Sequence, residues 1–203
     1  NAGFDATLFN KLSVSFDVYK KSINGLLFTQ PLPYTVGGAL PPYVNIGDIQ
    51  NSGIDVAVKY FGNIGADLKL NVAVNLTTYK NVVKDIPGPG YFNGIGHQQM
   101  GTLVRNQENE PVSAFFGYEV VGIFNTDDEV TKWPAQTGAA TGRFKYRDVN
   151  GDGTITPEDR KVLGSPNPDF TYGVNLGAEY KGFDIAAFFY GSQGNELINT
   201  LKV

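Results

Sequence analysis

Cysteine is absent from the 203 residues, and histidine, methionine and tryptophan occur once each. Without cysteine there is no disulfide scaffold, thiolate zinc site or cysteine nucleophile. One histidine excludes a His-rich metal centre and leaves any Ser-His-Asp triad dependent on His97 alone. Charged residues make up 18% of the chain, against about 25% in an ordinary soluble domain. The net charge is −4 with no Lys/Arg block, which argues against a nucleic-acid partner. Long apolar runs are missing too. The longest, Ile185 to Tyr190, has six residues, whereas a transmembrane helix needs about 20. A membrane β-barrel escapes this exclusion, because its strands need only about 10 residues and alternate in polarity. The chain begins at Asn1 with no signal-peptide pattern, as expected of a processed chain or a fragment.

Glycine (25 residues), phenylalanine (14) and tyrosine (11) are plentiful, and apolar residues recur in a period of two. Val14, Phe16 and Val18 alternate with Ser13, Ser15, Asp17 and Tyr19. Ile54, Val56, Val58 and Tyr60 alternate with Asp55, Ala57 and Lys59. From 68 to 77, Leu68, Leu70, Val72, Val74 and Leu76 alternate with Lys69, Asn71, Ala73, Asn75 and Thr77. The stretches 171–180 and 183–190 repeat the pattern. Successive strand side chains point to opposite faces, so each stretch predicts a strand with one apolar and one polar or small face.

Tight turns are expected at Asn10-Lys11, at Gly62-Asn63-Ile64-Gly65 and at Lys181-Gly182. Between the hairpins lie long segments, about 21–50, 81–113 and 126–168, rich in Gly, Pro, Asn and aromatics. Short turns at one end and long loops at the other are the plan of an outer-membrane barrel. Aromatic residues near strand ends (Tyr19, Tyr60, Phe61, Tyr79, Tyr180, Phe183, Tyr190) suit its interfacial girdles. Asn71, Asn75, Thr77, Thr171, Asn175 and Glu179 would then line a wet lumen. The alternative is a water-soluble β-sandwich whose apolar face is its core. Two helix starts are expected, one within Asn125-Thr126-Asp127-Asp128-Glu129-Val130, whose acids suit a first turn, and a capping-box start at Thr156 running to about Leu163.

One segment carries a chemical signature. In the twelve residues Asp148 to Asp159, oxygen ligands fall at loop positions 1, 3 and 5 (Asp148, Asn150, Asp152). Gly153 stands at position 6, the Thr154 carbonyl at position 7 and Asp159 at position 12. That spacing is the EF-hand type of calcium loop, with Ile155 at position 8 to pack beneath it. Position 12 is usually a bidentate Glu; dockerin-like loops use Asp, and this stretch resembles them. A structural calcium ion is expected, and an Asp/Asn/Gly turn without metal is the other reading. His97 lies in a Gly-rich loop with no nucleophile-elbow serine nearby. Asp127, Asp128 and Glu129 read as a solvated helix start, not as a glycosidase pair. The loop aromatics of Pro31-Leu32-Pro33-Tyr34 and Gly88-Pro89-Gly90-Tyr91-Phe92-Asn93-Gly94 could stack on sugars or peptides, or pack the loops themselves.

Four motifs in order resemble one family. They are Asn45-Ile46-Gly47-Asp48-Ile49-Gln50-Asn51-Ser52-Gly53-Ile54-Asp55, Phe115-Phe116-Gly117-Tyr118-Glu119-Val120-Val121-Gly122-Ile123-Phe124, Phe144-Lys145-Tyr146-Arg147-Asp148-Val149-Asn150-Gly151-Asp152-Gly153, and Gly164-Ser165-Pro166-Asn167-Pro168-Asp169-Phe170-Thr171-Tyr172-Gly173. Together they resemble the SusC/RagA-type TonB-dependent outer-membrane transporters of Bacteroidota. The resemblance implies an all-β, antiparallel up-and-down sheet, part of a large transmembrane β-barrel with long extracellular loops. Residues 1–203 would be its C-terminal portion, with the plug and N-terminal strands elsewhere. It implies localisation in the bacterial outer membrane, in contact with its lipid, and import of an oligosaccharide or peptide without covalent catalysis. It also implies partnership with a SusD-like surface lipoprotein and with TonB through the missing N-terminal part. The runner-up is a soluble extracellular β-sandwich binding module with a dockerin-like calcium loop.

Overall fold

The computed structural model of the chain describes residues 1–29, 37, 40, 42–45, 47–97 and 101–199. Its strands, in chain order, are β1 (Ala2–Leu8), β2 (Leu12–Ile23), β3 (Leu27–Thr29), β4 (Tyr43–Asn45), β5 (Asp48–Ile64), β6 (Leu68–Asp85), β7 (Tyr91–Asn93), β8 (Gly96–His97), β9 (Gly101–Thr102), β10 (Val104–Gln107), β11 (Ala114–Tyr118) and β12 (Val120–Ile123). One helix, α1 (Asp127–Lys132), follows. Then come β13 (Ala135–Gln136), β14 (Phe144–Tyr146), β15 (Thr154–Ile155), β16 (Arg160–Gly164), β17 (Phe170–Tyr180) and β18 (Phe183–Gln193). No helix among the described residues is long and apolar enough to cross a membrane.

The expected all-β, antiparallel up-and-down sheet is present. Six strands lie in the order β1-β2-β5-β6-β17-β18, each antiparallel to its neighbour. Among the described residues the sheet does not close, since β1 and β18 each have a single neighbour in it. β5 and β6 run for 17 and 18 residues, well beyond the five or six usual in globular sheets.

Register turns the alternation into continuous rows. Phe4, Phe16, Val56, Leu76, Tyr172 and Gly191 are successive cross-strand partners. So are Ala6, Val14, Val58, Val74, Val174 and Phe189, and so are Leu8, Leu12, Tyr60, Val72, Leu176 and Ala187. One face is therefore apolar across all six strands. This face is not buried: Val74 is 40% exposed, Phe189 57% and Ile185 70%. A β-sandwich would lay a second sheet over it, and none of the described residues does so. The opposite face carries Ser13, Asp17, Asp55, Asn71, Asn75, Thr77, Asn175 and a cross-strand pair, Lys69 Nζ to Glu179 Oε2 at 2.8 Å.

The three short turns all fall at one end of the sheet. Phe9 (φ 55°) and Asn10 (φ 54°) turn β1 into β2, and Lys181 (φ 48°) and Gly182 (φ 87°) turn β17 into β18. The first connection has three residues, Phe9 to Lys11, so the turn expected at Asn10-Lys11 begins one residue earlier, and the second has two; each has φ positive at two successive residues, the geometry whose twist matches a hairpin. The turn expected at Gly62-Asn63-Ile64-Gly65 lies further on. β5 continues through Ile64, which pairs Leu68, and the chain reverses over Gly65 (φ 67°), Ala66 and Asp67. The alternation of Tyr60, Gly62 and Ile64 keeps the ladder going past the first glycine.

The long connections are more ordered than loops. A four-stranded sheet, β16-β11-β10-β7, forms at the other end of the long strands. It is tied to β6 through the Val83 amide to the Glu110 carbonyl (3.0 Å) and the Val112 amide to Asn81 Oδ1 (3.0 Å). The buried apolar residues gather there: Val82, Val83, Ile86, Ala114, Phe116, Phe124 and Ile155. Apart from Val82 and Val83, near the end of β6, the core of the described chain thus belongs to the connections and not to the six-stranded sheet. The helix expected from Thr156 to Leu163 does not form. Only one 3₁₀ turn forms, Pro157–Asp159, and β16 follows, paired with β11. Its cap is present as read, but β11 offers an open edge and Arg160–Gly164 takes it.

Candidate functional site

The EF-hand-type loop is closed by its own side chains. Asp148 Oδ1 accepts the Gly151 amide (2.7 Å) and Oδ2 the Gly153 amide (2.8 Å). Asn150 Oδ1 accepts the Asp152 amide (3.0 Å), and Asp152 Oδ1 accepts the Thr154 amide (2.8 Å). Gly151 (φ 77°) and Gly153 (φ 83°) take the left-handed backbone that such a wrap requires. Thr154 and Ile155 form β15 beside β13, and Ile155 is buried beneath the loop as its apolar character implied.

Asp159 is fully buried and braces the loop from inside. Its Oδ1 accepts the Val149 amide (2.8 Å) and the Asn150 amide (3.4 Å), and its Oδ2 accepts the Thr156 amide (2.7 Å). The Thr156 amide, first, and those of Val149 and Asn150 hold its carboxyl below the usual carboxylate value. Asp148, Asn150, Asp152 and Asp159 therefore share one twelve-residue wrap. Among the described residues no three carboxylate or imidazole groups converge on a single point. Each carboxylate oxygen has two lone pairs, so accepting an amide does not use it up.

Glu119 escaped sequence reasoning. It joins β11 to β12, and its Oε2 meets Arg147 Nε at 2.9 Å and Lys161 Nζ at 2.6 Å. Arg147 immediately precedes the loop and Lys161 follows it by two residues, so one carboxylate clamps both ends. Lys161 above all, with Arg147, lowers the Glu119 pKa. Its partners lie 28 and 42 residues away, so no local pattern announces the pairing.

The remaining sequence candidates separate. Thr126 caps α1 by accepting the Glu129 amide at 3.2 Å, and Asp128 pairs with Lys132 at 2.6 Å, so the acidic run is a helix start. His97 ends β8, where its backbone pairs with Gly101 of β9. Pro31-Leu32-Pro33-Tyr34, Ile46, Gln98 and Gln99 lie outside the described residues. Tyr91 packs under the Arg105 guanidinium, 4.1 Å from its ring centroid.

No family model matches the chain. It is 33% identical over 208 residues to TonB-dependent receptor P3 of Formosa agariphila, covering 97% of this chain and 20% of that protein. It is 28% identical to TonB-dependent receptor P26 of the same organism and 23% identical to TonB-dependent receptor SusC of Bacteroides thetaiotaomicron, in each case over 96% of this chain. The chain thus spans about a fifth of the length of the curated relatives it matches. In fold it is similar to the RagAB peptide importer in its closed-closed state. The TM-score is 0.71 at 22% identity, over 95% of this chain and 20% of that one. The open-open state gives 0.69. The resemblance read from the four motifs is thereby borne out. Relatives of this type are outer-membrane barrel proteins, and the outer membrane is the localisation of this chain.

Proposed function

We propose that this chain, similar over nearly its whole length to one-fifth of a SusC/RagA-type TonB-dependent receptor, forms six consecutive wall strands of an outer-membrane importer. The continuous apolar face is the observation that carries the reading. In β6 it extends from Leu68, in the row of Tyr180 and Phe183, to Thr78, in the row of Ile54. Ten residues at about 3.3 Å each, tilted by about 40°, give a band of about 25 Å, the height of the lipid-facing band of such barrels. The next row on that face is Lys20, Ser52 and Lys80, whose ammonium groups would reach lipid headgroups. The polar face would line the lumen. The end carrying the four-stranded sheet would face outward, where a SusD-like lipoprotein lid and an oligosaccharide or peptide cargo meet it. TonB would act through the missing N-terminal part. The full protein is expected to stay monodisperse only in detergent or lipid. A monodisperse monomer in plain buffer with strand content intact would overturn the reading in favour of a soluble module.

The loop is proposed to hold one structural calcium ion through Asp148, Asn150, Asp152, the Thr154 carbonyl and Asp159. The donor set fits, being all oxygen, three of it carboxylate, on a backbone already wound by two left-handed glycines. The ion would order the connection between β14 and β16. Calorimetry on metal-free protein should show one site of about 10⁻⁴–10⁻³ M, lost in Asp148→Ala and Asp152→Ala. No heat and no thermal shift at several millimolar calcium would leave only the Asp/Asn/Gly turn.

A further inference from the structure

We propose that Arg105 and Arg160, gathered on the ring of Phe116 in the four-stranded sheet, form a binding site for an anionic group, a carboxylate or a sulfate. The Arg105 guanidinium lies 3.5 Å from the Phe116 ring centroid and that of Arg160 lies 4.9 Å from it. Two cations so placed repel one another, and a carboxylate between them is the ordinary remedy. Neither makes an ion pair with any described residue. Every Asp and Glu of the chain lies within the described residues, so no acid elsewhere in it supplies the counter-charge.

Donors are left over as well. A guanidinium has five N–H groups. Arg105 directs Nε to Asn93 Oδ1 (3.0 Å), and its four terminal N–H groups have no protein acceptor among the described residues. Arg160 directs Nη2 to the Thr102 and Phe116 carbonyls, while its Nε is buried without a partner. Burial and the neighbouring Arg160 both lower the Arg105 pKa, the direction expected of a cation lacking its counter-charge. Both side chains remain partly exposed, on β10 and at the start of β16. Planar forks beside aromatic faces suit carboxylate and sulfate, which accept two parallel N–H bonds.

The site rests on the importer reading only in taking its natural ligand to be cargo, so binding is measured apart from import. The full-length protein in detergent would be titrated with glucuronate, N-acetylglutamate and inorganic sulfate, and with glucose and N-acetylglutaminamide as neutral counterparts of the first two. At least one anion should bind and its neutral counterpart should not; the tightest of the three names the carrier of the charge. Arg105→Gln and Arg160→Gln should each weaken binding by about tenfold or more. Because Arg160 also holds two carbonyls, a second pair keeps both arginines. A Cβ at Gly101 (φ 71°) would stand 3.8 Å from Arg160 Nη1, and Asp and Asn both tolerate that backbone. Gly101→Asp should supply the missing carboxylate and abolish binding, while Gly101→Asn retains it. Anions that fail to bind at tens of millimolar, neutral counterparts that bind equally, or equal effects of Asp and Asn at 101 would each overturn the site. Binding without import would spare it and overturn the importer reading instead.

Discussion

Val74→Arg should destabilise the membrane-embedded protein by about 2–4 kcal/mol, the cost of an arginine on the lipid face at the midplane of a barrel. Val74 stands in the row of Val14, Val58 and Val174, near the middle of the apolar band, with cross-strand valines on either side. A guanidinium there cannot reach either headgroup layer without distorting the strand. Thr77→Arg, three residues along the same strand, should cost little. Thr77 is on the other face, directly paired with Asp55, which in turn pairs with Asp17. An arginine there meets carboxylates and, in the proposed barrel, water. Equilibrium unfolding by guanidinium from phospholipid vesicles measures both. Equal costs, or a larger cost at 77, would mean that the apolar face is not the one in lipid.

Gly53→Val should cost about 1–3 kcal/mol or more, the usual range for overpacking. Gly53 lies in the motif Asn51-Ser52-Gly53-Ile54-Asp55, and its requirement for glycine is spatial, not conformational. A Cβ at this position would collide with the Thr78 carbonyl oxygen of β6 and with the Tyr19 ring of β2. The ring is a movable obstacle and the carbonyl is not, since it belongs to the ladder that pairs β5 with β6. Gly53→Ala should therefore already lower the guanidinium midpoint, and Tyr19→Ser on that background should restore it only in part. A neutral Gly53→Ala would show that the strands separate cheaply here. Gly191, beneath the Tyr172 ring, is the milder case: a Cβ there meets only a side chain.

The six wall strands were legible because a half-exposed strand writes its two faces into alternate residues. Only their ends were misplaced. Gly62 looked like the beginning of a turn because glycine is common there, yet the apolar Tyr60 and Ile64 on either side of it carry the ladder on to Gly65. The four-stranded sheet left no such record. Its strands are three to five residues long, too short for alternation to rise above chance, and β11 takes β16, more than forty residues on, as its partner. The Thr156–Asp159 cap is a genuine helix signal, so the sequence alone predicts helix through Leu163. The edge of β11, which diverts the chain into a strand, is visible only in three dimensions. The oxygen spacing of 148–159 was readable as a loop that winds around its own carboxylates. The clamp of Glu119 on Arg147 and Lys161, and the convergence of Arg105 and Arg160 on Phe116, depend on long-range contacts that no local motif encodes.

The unequal connections also set an order of assembly. β1 with β2, β5 with β6 and β17 with β18 are joined by two- or three-residue turns and can zip as soon as they are made. β6 and β17 are equally intimate, paired over eleven residues, but residues 86–169 intervene. Closing a loop of that length costs about 3 kcal/mol more entropy than closing a three-residue turn. The seam between β6 and β17 is therefore the natural kinetic bottleneck of this stretch. The buried residues around Phe116 and Phe124, together with the clamp of Glu119, fold the intervening chain onto itself and shorten the effective gap. The connections that lie beyond the membrane would thus act as the splint on which the wall is joined.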